Sequence, residues 1–268
     1  MASVADDLVV MPPPPRIAAP TPREFEKDWL RPGRPAIFTG AMDHWPARRT
    51  WSIEHFRRTY GTDTTAVAWT DEGRLARDPR IGIRYGETTV DHALDEVLAT
   101  PRSRAYLVAT LETQLPRIAR EVEPPAYCRG RARLRSRLWI SARDTVSPLH
   151  RDFPHNLFAQ VYGRKRFTIL SPRENRRVDE HSFRSKLPRV SSVDAEAPDF
   201  VEHPRFRGAR VSTFELGPGD LLFLPGRWWH QVRSLETSIS INWWWATGLT
   251  RLLVTAADIY KRARSVRL

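Results

Sequence analysis

Apolar and polar positions alternate along this chain in two regimes. From Thr21, the run TPREFEKDWL sets a capping residue, a Pro at the first helical position and apolar residues at helical spacing, which predicts a helix. RPAIFTG then reads as a strand, and WSIEHFRRTYG as a second helix stopped by Gly61. TTAVAW predicts another strand, TTVDHALDEVLAT another helix and RAYLVAT a further strand. After Leu138 the runs shorten and become β-branched or aromatic: LWISA, NLFAQVYG, KRFTILSP, STFELGPG, DLLFLPG, HQVRSL and SISINWWW, separated by Gly, Pro and Asp. So many short strands in one block predict a sandwich or barrel of jelly-roll type, with a mixed α/β layer from the N-terminal half wrapped on it.

Three stretches fall outside the pattern. Residues 1–20 are Pro-rich and predict an extended arm. Residues 172–210 form a long, charged, weakly patterned stretch, and loops of that size in a compact domain are more often functional than idle. Residues 249–268 place Leu249, Leu252, Leu253 and Ala256 on one helical stripe, predicting an amphipathic helix that suits a homodimer contact. The single domain is expected over 21–248, with its strand-rich core at about 138–245.

Composition adds less. The net charge of +12 rests on 43 basic residues, of which only Lys27, Lys165, Lys186 and Lys261 are Lys. Such Arg skew weakens any argument from charge to a nucleic-acid partner, yet it makes each Lys conspicuous. In RGRARLRSR, Arg129, Arg131, Arg133, Arg135 and Arg137 alternate; an extended backbone would line them up as a phosphate stripe for RNA, or as a solvated edge. The one cysteine, Cys128, suits a reducing compartment. An acidic N-terminus followed by MPPPP lacks the features of a signal peptide, and no apolar run is long enough for a membrane span. A cytoplasmic protein with no membrane partner is the expectation.

The chemistry concentrates in SPLHRDFPHNLFAQVYGRKRFTIL. Residues i and i+2 of a strand share a face, so His150 and Asp152 project together. Eighty residues on, GPGDLLFLPGRWWHQV supplies His230, which a distant strand of a barrel can bring beside them. Two imidazoles and one carboxylate on one face of an octahedral ion form the facial triad of non-heme Fe(II) oxygenases. No P-loop, nucleophile elbow or Cys-x-x-Cys pattern competes with it.

Taken together, LWISARDTVSPLHRDFPHNLFAQVYGRKRFTILSP and GPGDLLFLPGRWWHQVRSL resemble the metal-binding strands of the Jumonji-C/cupin-like Fe(II)- and 2-oxoglutarate-dependent oxygenases. The likeness extends to the N-terminal RPAIFTGAMDHWPARRTWSIEHFRRTYG and is strongest to the protein-hydroxylase branch that includes the asparagine hydroxylase of hypoxia-inducible factor. The resemblance implies a mainly β fold with α, a double-stranded β-helix (jelly-roll/cupin) core with an N-terminal α/β layer and a C-terminal helix. By position it implies His150, Asp152 and His230 as iron ligands and Lys165 as the partner of the distal carboxylate of 2-oxoglutarate. Ser147 stands where the family often has Thr and keeps the hydroxyl. Asn156, Asn242 and Tyr106 match residues lining the co-substrate pocket. Each also has a structural alternative: Asn156 a turn residue, Asn242 a bonded core amide, Tyr106 a core aromatic, Lys165 an edge charge. His155 is placed near the pocket mouth, and the Trp243–Trp245 run is expected to straddle the core and an interface. The implied function is hydroxylation of a peptide or protein side chain, with Fe(II) as cofactor, 2-oxoglutarate and O2 as co-substrates, and succinate and CO2 as co-products. A tRNA nucleoside hydroxylase of the same fold and a non-catalytic binding module are the alternatives.

Overall fold

The computed structural model describes residues 7–75, 78–99, 105–128 and 133–247. Its centre is eight strands: β7 (Arg133–Ser141), β8 (Val146–Arg151), β9 (His155–Tyr162), β10 (Lys165–Leu170), β11 (Arg210–Leu216), β12 (Leu221–Leu224), β13 (Trp229–Ser234) and β14 (Ser238–Trp245). Successive strands switch between two sheets at every step except β10 to β11, which pair antiparallel within one sheet across the long 171–209 connection. That alternation is the expected jelly roll. The smaller sheet runs β11-β10-β13-β8, with β1 (Val9–Val10) added at the β11 edge.

The larger sheet is the jelly-roll set β12-β9-β14-β7 extended on both sides. Beyond β12 come β3 (Ala36–Thr39) and β2 (Arg16–Ala18); beyond β7 come β6 (Ala105–Thr110), β4 (Thr64–Trp69) and β5 (Tyr85–Thr89). The N-terminal layer expected from the sequence is thus partly helical and partly a continuation of the sheet. The Pro-rich arm is extended, and its two short strands pair parallel with β11 and β3.

Burial explains the strand compositions. The larger sheet is covered on both faces, so β9 (HNLFAQVY) and β12 (LLFL) are almost continuously buried instead of alternating. One face packs against α3 (Ile53–Tyr60) and α4 (Val90–Leu98), whose Ile53, Phe56, Tyr60, Val90, Leu94 and Val97 are all buried. Ser52 and Thr89 cap these helices by accepting from the third residue onward. Between the sheets lie Phe158, Phe167, Phe214, Leu222 and Val232. The outer face of the smaller sheet is closed by the 172–209 stretch, through Val178, Val193, Phe200 and Phe206 against Leu149, Leu170 and Trp229.

Two expectations need adjustment. The helix from Thr21 is a single capped turn, α1 (Pro22–Glu24), that widens into a π-helical segment, Phe25–Leu30, delivering Phe25 into contact with Phe38, Tyr127 and Phe223. The strand expected at LWISA begins at Arg133, because the arginine-bearing residues before it pair with the Trp243–Trp245 run of β14. The amphipathic helix expected at 249–268, and the homodimer contact assigned to it, lie outside the described residues. No helix among the described residues is long and apolar enough to cross a membrane.

Candidate metal centre

His150 is the penultimate residue of β8 and is paired directly with His230 of β13. The smaller sheet therefore carries both imidazoles side by side, with ring centroids 4.1 Å apart. Asp152 lies one residue past the end of β8, and its position is set by a turn. Gly226 passes so close to it that a Cβ there would stand 2.3 Å from the Phe153 carbonyl oxygen, and the Arg227 amide donates to the Asp152 carbonyl at 2.6 Å. The Pro225-Gly226 turn thus ties the His230 strand to the Asp152 segment.

The potential ligand atoms of His150, Asp152 and His230 all lie within 4.8 Å of one another, a spacing that an ion with bonds of roughly 2 Å would draw in slightly. Each imidazole uses Nδ1 on a backbone carbonyl, His150 on Pro148 at 2.7 Å and His230 on Trp228 at 3.2 Å. That fixes the tautomer with the Nε2 lone pair free to bind a metal. Burial, together with the neighbouring His150, pushes His230 down to about 3, which keeps it neutral. Burial pushes the Asp152 carboxyl up, but His150, His230, Arg189 and the Trp244 indole outweigh it, and the carboxyl is held below its usual range. Trp244 Nε1 donates to Asp152 Oδ2 at 3.0 Å. A neutral His230, a second imidazole with its Nε2 turned to the cluster and a hydrogen-bonded carboxylate are the donor set that suits a divalent iron ion.

The triad opens into a cavity of about 420 Å³ between the two sheets. Lys165 stands behind the cavity wall, on β10 between β11 and β13, so it is no edge charge; it is fully buried and donates to the hydroxyl of the cavity-lining Tyr106 at 2.6 Å. Burial pushes Lys165 down to about 7. A buried amine that faces a phenol and, among the described residues, no carboxylate is a ready position for an incoming anion. Ser147 lines the same cavity from β8. Trp139 Nε1 donates to Asn242 Oδ1 at 2.7 Å, and Asn242 Nδ2 donates to Asn156 Oδ1 at 3.1 Å. This relay orients both amides on the cavity wall. Tyr106, Asn156 and Asn242 are thus buried, bonded and cavity-lining at once.

Two sequence placements change. His155 alternates with Asn156 along β9 and faces the other side, stacked near Phe223 and Trp245 with Nδ1 accepting from the Gly226 amide. In the tryptophan run, Trp243 and Trp245 are buried in the core while Trp244 points into the cavity, not toward an interface. Trp139, Trp244, Arg137 and Arg189 line the site and escaped the sequence reading. The available signal was parity: Trp244 is two residues from Asn242 on the same strand.

A family profile described as "Cupin-like domain" matches residues 22–250. The chain belongs to the cupin-like family. Among its relatives are lysine-specific demethylase 8 of Xenopus tropicalis, 32% identical over 246 residues, covering 87% of this chain and 52% of that protein. The Danio rerio protein of the same name is 32% identical over 248 residues, covering 87% and 58%. The human bifunctional peptidase and (3S)-lysyl hydroxylase JMJD7 is 26% identical over 259 residues, covering 84% and 81%. The chain spans little more than half the length of the first two. The resemblance to Jumonji-C/cupin-like proteins read from the sequence is borne out at the level of family and fold.

Proposed function

We propose that this cupin-like chain is an Fe(II)- and 2-oxoglutarate-dependent oxygenase that hydroxylates a peptide or protein side chain. The observation that carries this reading is the His150, Asp152 and His230 cluster opening onto a cavity whose wall residue Tyr106 bonds a fully buried lysine, Lys165, that among the described residues has no carboxylate partner. In this reading His150, Asp152 and His230 hold the iron through Nε2 and carboxylate oxygens. Lys165, with the hydroxyls of Tyr106 and Ser147 beside it, holds the distal carboxylate of the co-substrate. The chemistry supplied by the bound pair is the splitting of O2, one oxygen atom entering a substrate C–H bond as hydroxyl and the other leaving in succinate as CO2 is released. The residues of the chain orient both partners: Trp244 fixes the Asp152 carboxylate, the Trp139–Asn242–Asn156 relay fixes the wall, and the apolar layer between the sheets excludes water. The relatives named as a demethylase and a lysyl hydroxylase support a protein substrate.

The test is succinate formation from 2-oxoglutarate by Fe(II)-loaded protein. His150→Ala and Asp152→Ala are each expected to abolish it with the fold intact by circular dichroism; retained turnover in either variant removes the ligand assignment. Under anaerobic conditions, folded parent protein that gives no visible charge-transfer band with Fe(II) and 2-oxoglutarate would point to a binding module instead.

An RNA substrate has weaker support. Arg129 and Arg131 lie outside the described residues, and Arg137 lines the cavity instead of continuing an outward stripe. The homodimer and the cytoplasmic setting are separate proposals, tested by solution mass and by fractionation.

A further inference from the structure

The cavity wall carries three cations that, among the described residues, form no ion pair with a carboxylate, although the charge of Arg189 is felt at Asp152. Arg137 on β7 is half-buried, with its guanidinium 5.8 Å from the ring centroids of both Trp139 and Trp244. Arg189 sits in left-handed backbone, φ 74°, and lies over the Phe153 ring at 5.3 Å. Lys186 stands exposed on the same wall. Elsewhere the chain neutralises arginines of similar burial: Arg74 pairs with Asp194, Arg151 with Glu180 and Arg233 with Glu196. Among the described residues, Arg137, Lys186 and Arg189 make no such ion pair, and all three line one cavity.

The segment that brings Lys186 and Arg189 to the cavity is built in. Val190 bridges His150, the Ser191 amide donates to the Leu149 carbonyl at 2.8 Å, and the Arg151 amide donates to the Arg189 carbonyl at 3.0 Å. Residues 189–191 thereby cover the free edge of β8. Arg189 is held in a sparsely populated conformation by these bonds, as residues at ligand sites often are.

Among the described residues Asp152 is the one carboxylate on the cavity wall, and the proposed function commits its charge to the metal; Glu87 lines a neighbouring groove shared with Tyr85 and Arg137. A lysine or arginine side chain entering here would meet like charge. A carboxylate would meet a guanidinium already ordered between two indoles and able to donate in a bidentate manner. We propose that the peptide segment entering this cavity is acidic, presenting an Asp or Glu carboxylate to Arg137, with Arg189 and Lys186 selecting against basic side chains. The proposal rests on the oxygenase reading for the identity of the cavity, and it departs from the lysine substrates for which the three relatives are named.

Labelled nonapeptides of Gly and Ser with a central Asp, Asn or Lys are titrated by fluorescence anisotropy onto the protein in Mn(II) and 2-oxoglutarate. The Asp peptide is expected to bind tighter than the Lys peptide by about tenfold or more, like charges being strongly disfavoured. Arg137→Glu and, independently, Lys186→Glu should erase most of that ratio, while Arg58→Glu, a remote exposed charge of the same sign, should leave it unchanged. Equal binding of all peptides, no binding at all, a Lys preference, or an equal loss in Arg58→Glu overturns the proposal. A uridine nonamer competing as well as the Asp peptide overturns it in favour of phosphate. Succinate release by the Fe(II)-loaded parent protein is measured alongside: turnover without acid preference sinks this inference alone, whereas acid preference without turnover sinks the oxygenase reading and leaves an anion-binding cavity.

Discussion

At the scale of single residues, Lys165 is the position where physics and function pull apart. A lysine ordinarily titrates at 10.5, and burial brings this one down to about 7. A cation with a lowered folded value makes the folded state bind fewer protons than the unfolded chain between about 7 and 10.5, so stability rises with pH across that window. Below about 7 the full cost is present, on the order of a few kcal/mol. Lys165→Met in the metal-free protein should therefore raise stability at pH 6, by denaturant melts, and the gain should shrink steadily toward pH 10. A gain that does not change with pH would mean that the lysine is not carrying this cost. The same proton serves binding: parent affinity for 2-oxoglutarate should fall as pH rises through about 7, and Lys165→Met should bind it weakly with that dependence lost. An unchanged 2-oxoglutarate requirement would place the carboxylate on another residue. Such a residue lowers stability where it raises affinity, which is why its scarcity in an Arg-rich chain was informative.

At the scale of elements, the metal cluster depends on how β8 and β13 meet. His150 opposite His230 follows from strand register, but Asp152 lies beyond the strand and relies on the Pro225-Gly226 turn. Gly226→Ala would force a Cβ against the Phe153 carbonyl oxygen, at 2.3 Å before relaxation. Separation of the two segments is expected to cost about 1–3 kcal/mol of stability and to weaken Mn(II) binding by at least about tenfold, as loss of ligand support does. Isothermal titration would check it, and unchanged metal affinity would show that the turn does not set the Asp152 position. The sequence made the strands legible because Gly, Pro and Asp punctuate them, and it made the triad and Lys165 legible as motif residues. It was silent on what comes from register alone. Trp244 reaches Asp152 only because β14 lies beside β9, and Arg137 faces the cavity only because it is opposite Asn242. The parity of His155 was misread for the same reason: strand periodicity gives two faces but does not say which one is the cavity.

At the scale of the whole molecule, the two sheets of the jelly roll are joined by more than their own turns. The Pro-rich arm pairs with β11 of the smaller sheet through Val9 and Val10, then with β3 of the larger sheet through Arg16 to Ala18. The amides of Val9 and Met11 donate to Ala209 and Val211, the amide of Ile37 donates to Pro15, and Arg16 forms an ion pair with Asp220 at the start of β12. Proline suits this role, since an edge strand needs few donors and a fixed φ lowers the entropy lost on ordering. The arm covers one edge of each sheet, where unpaired backbone would otherwise invite association. Deleting residues 1–18 removes these backbone bonds, each worth about 1 kcal/mol net, and is expected to lower stability by about 3 kcal/mol, or on the order of 10 °C in Tm for a chain of this length. The triad is built entirely from β8, the residues after it and β13, so the shortened protein should still bind Mn(II) at temperatures where it is folded. Scanning calorimetry with a parallel metal titration separates the two effects. An unchanged Tm would make the arm ornamental to the fold, and loss of metal binding in the folded, shortened protein would mean that strain at the sheet edges reaches His150 and His230.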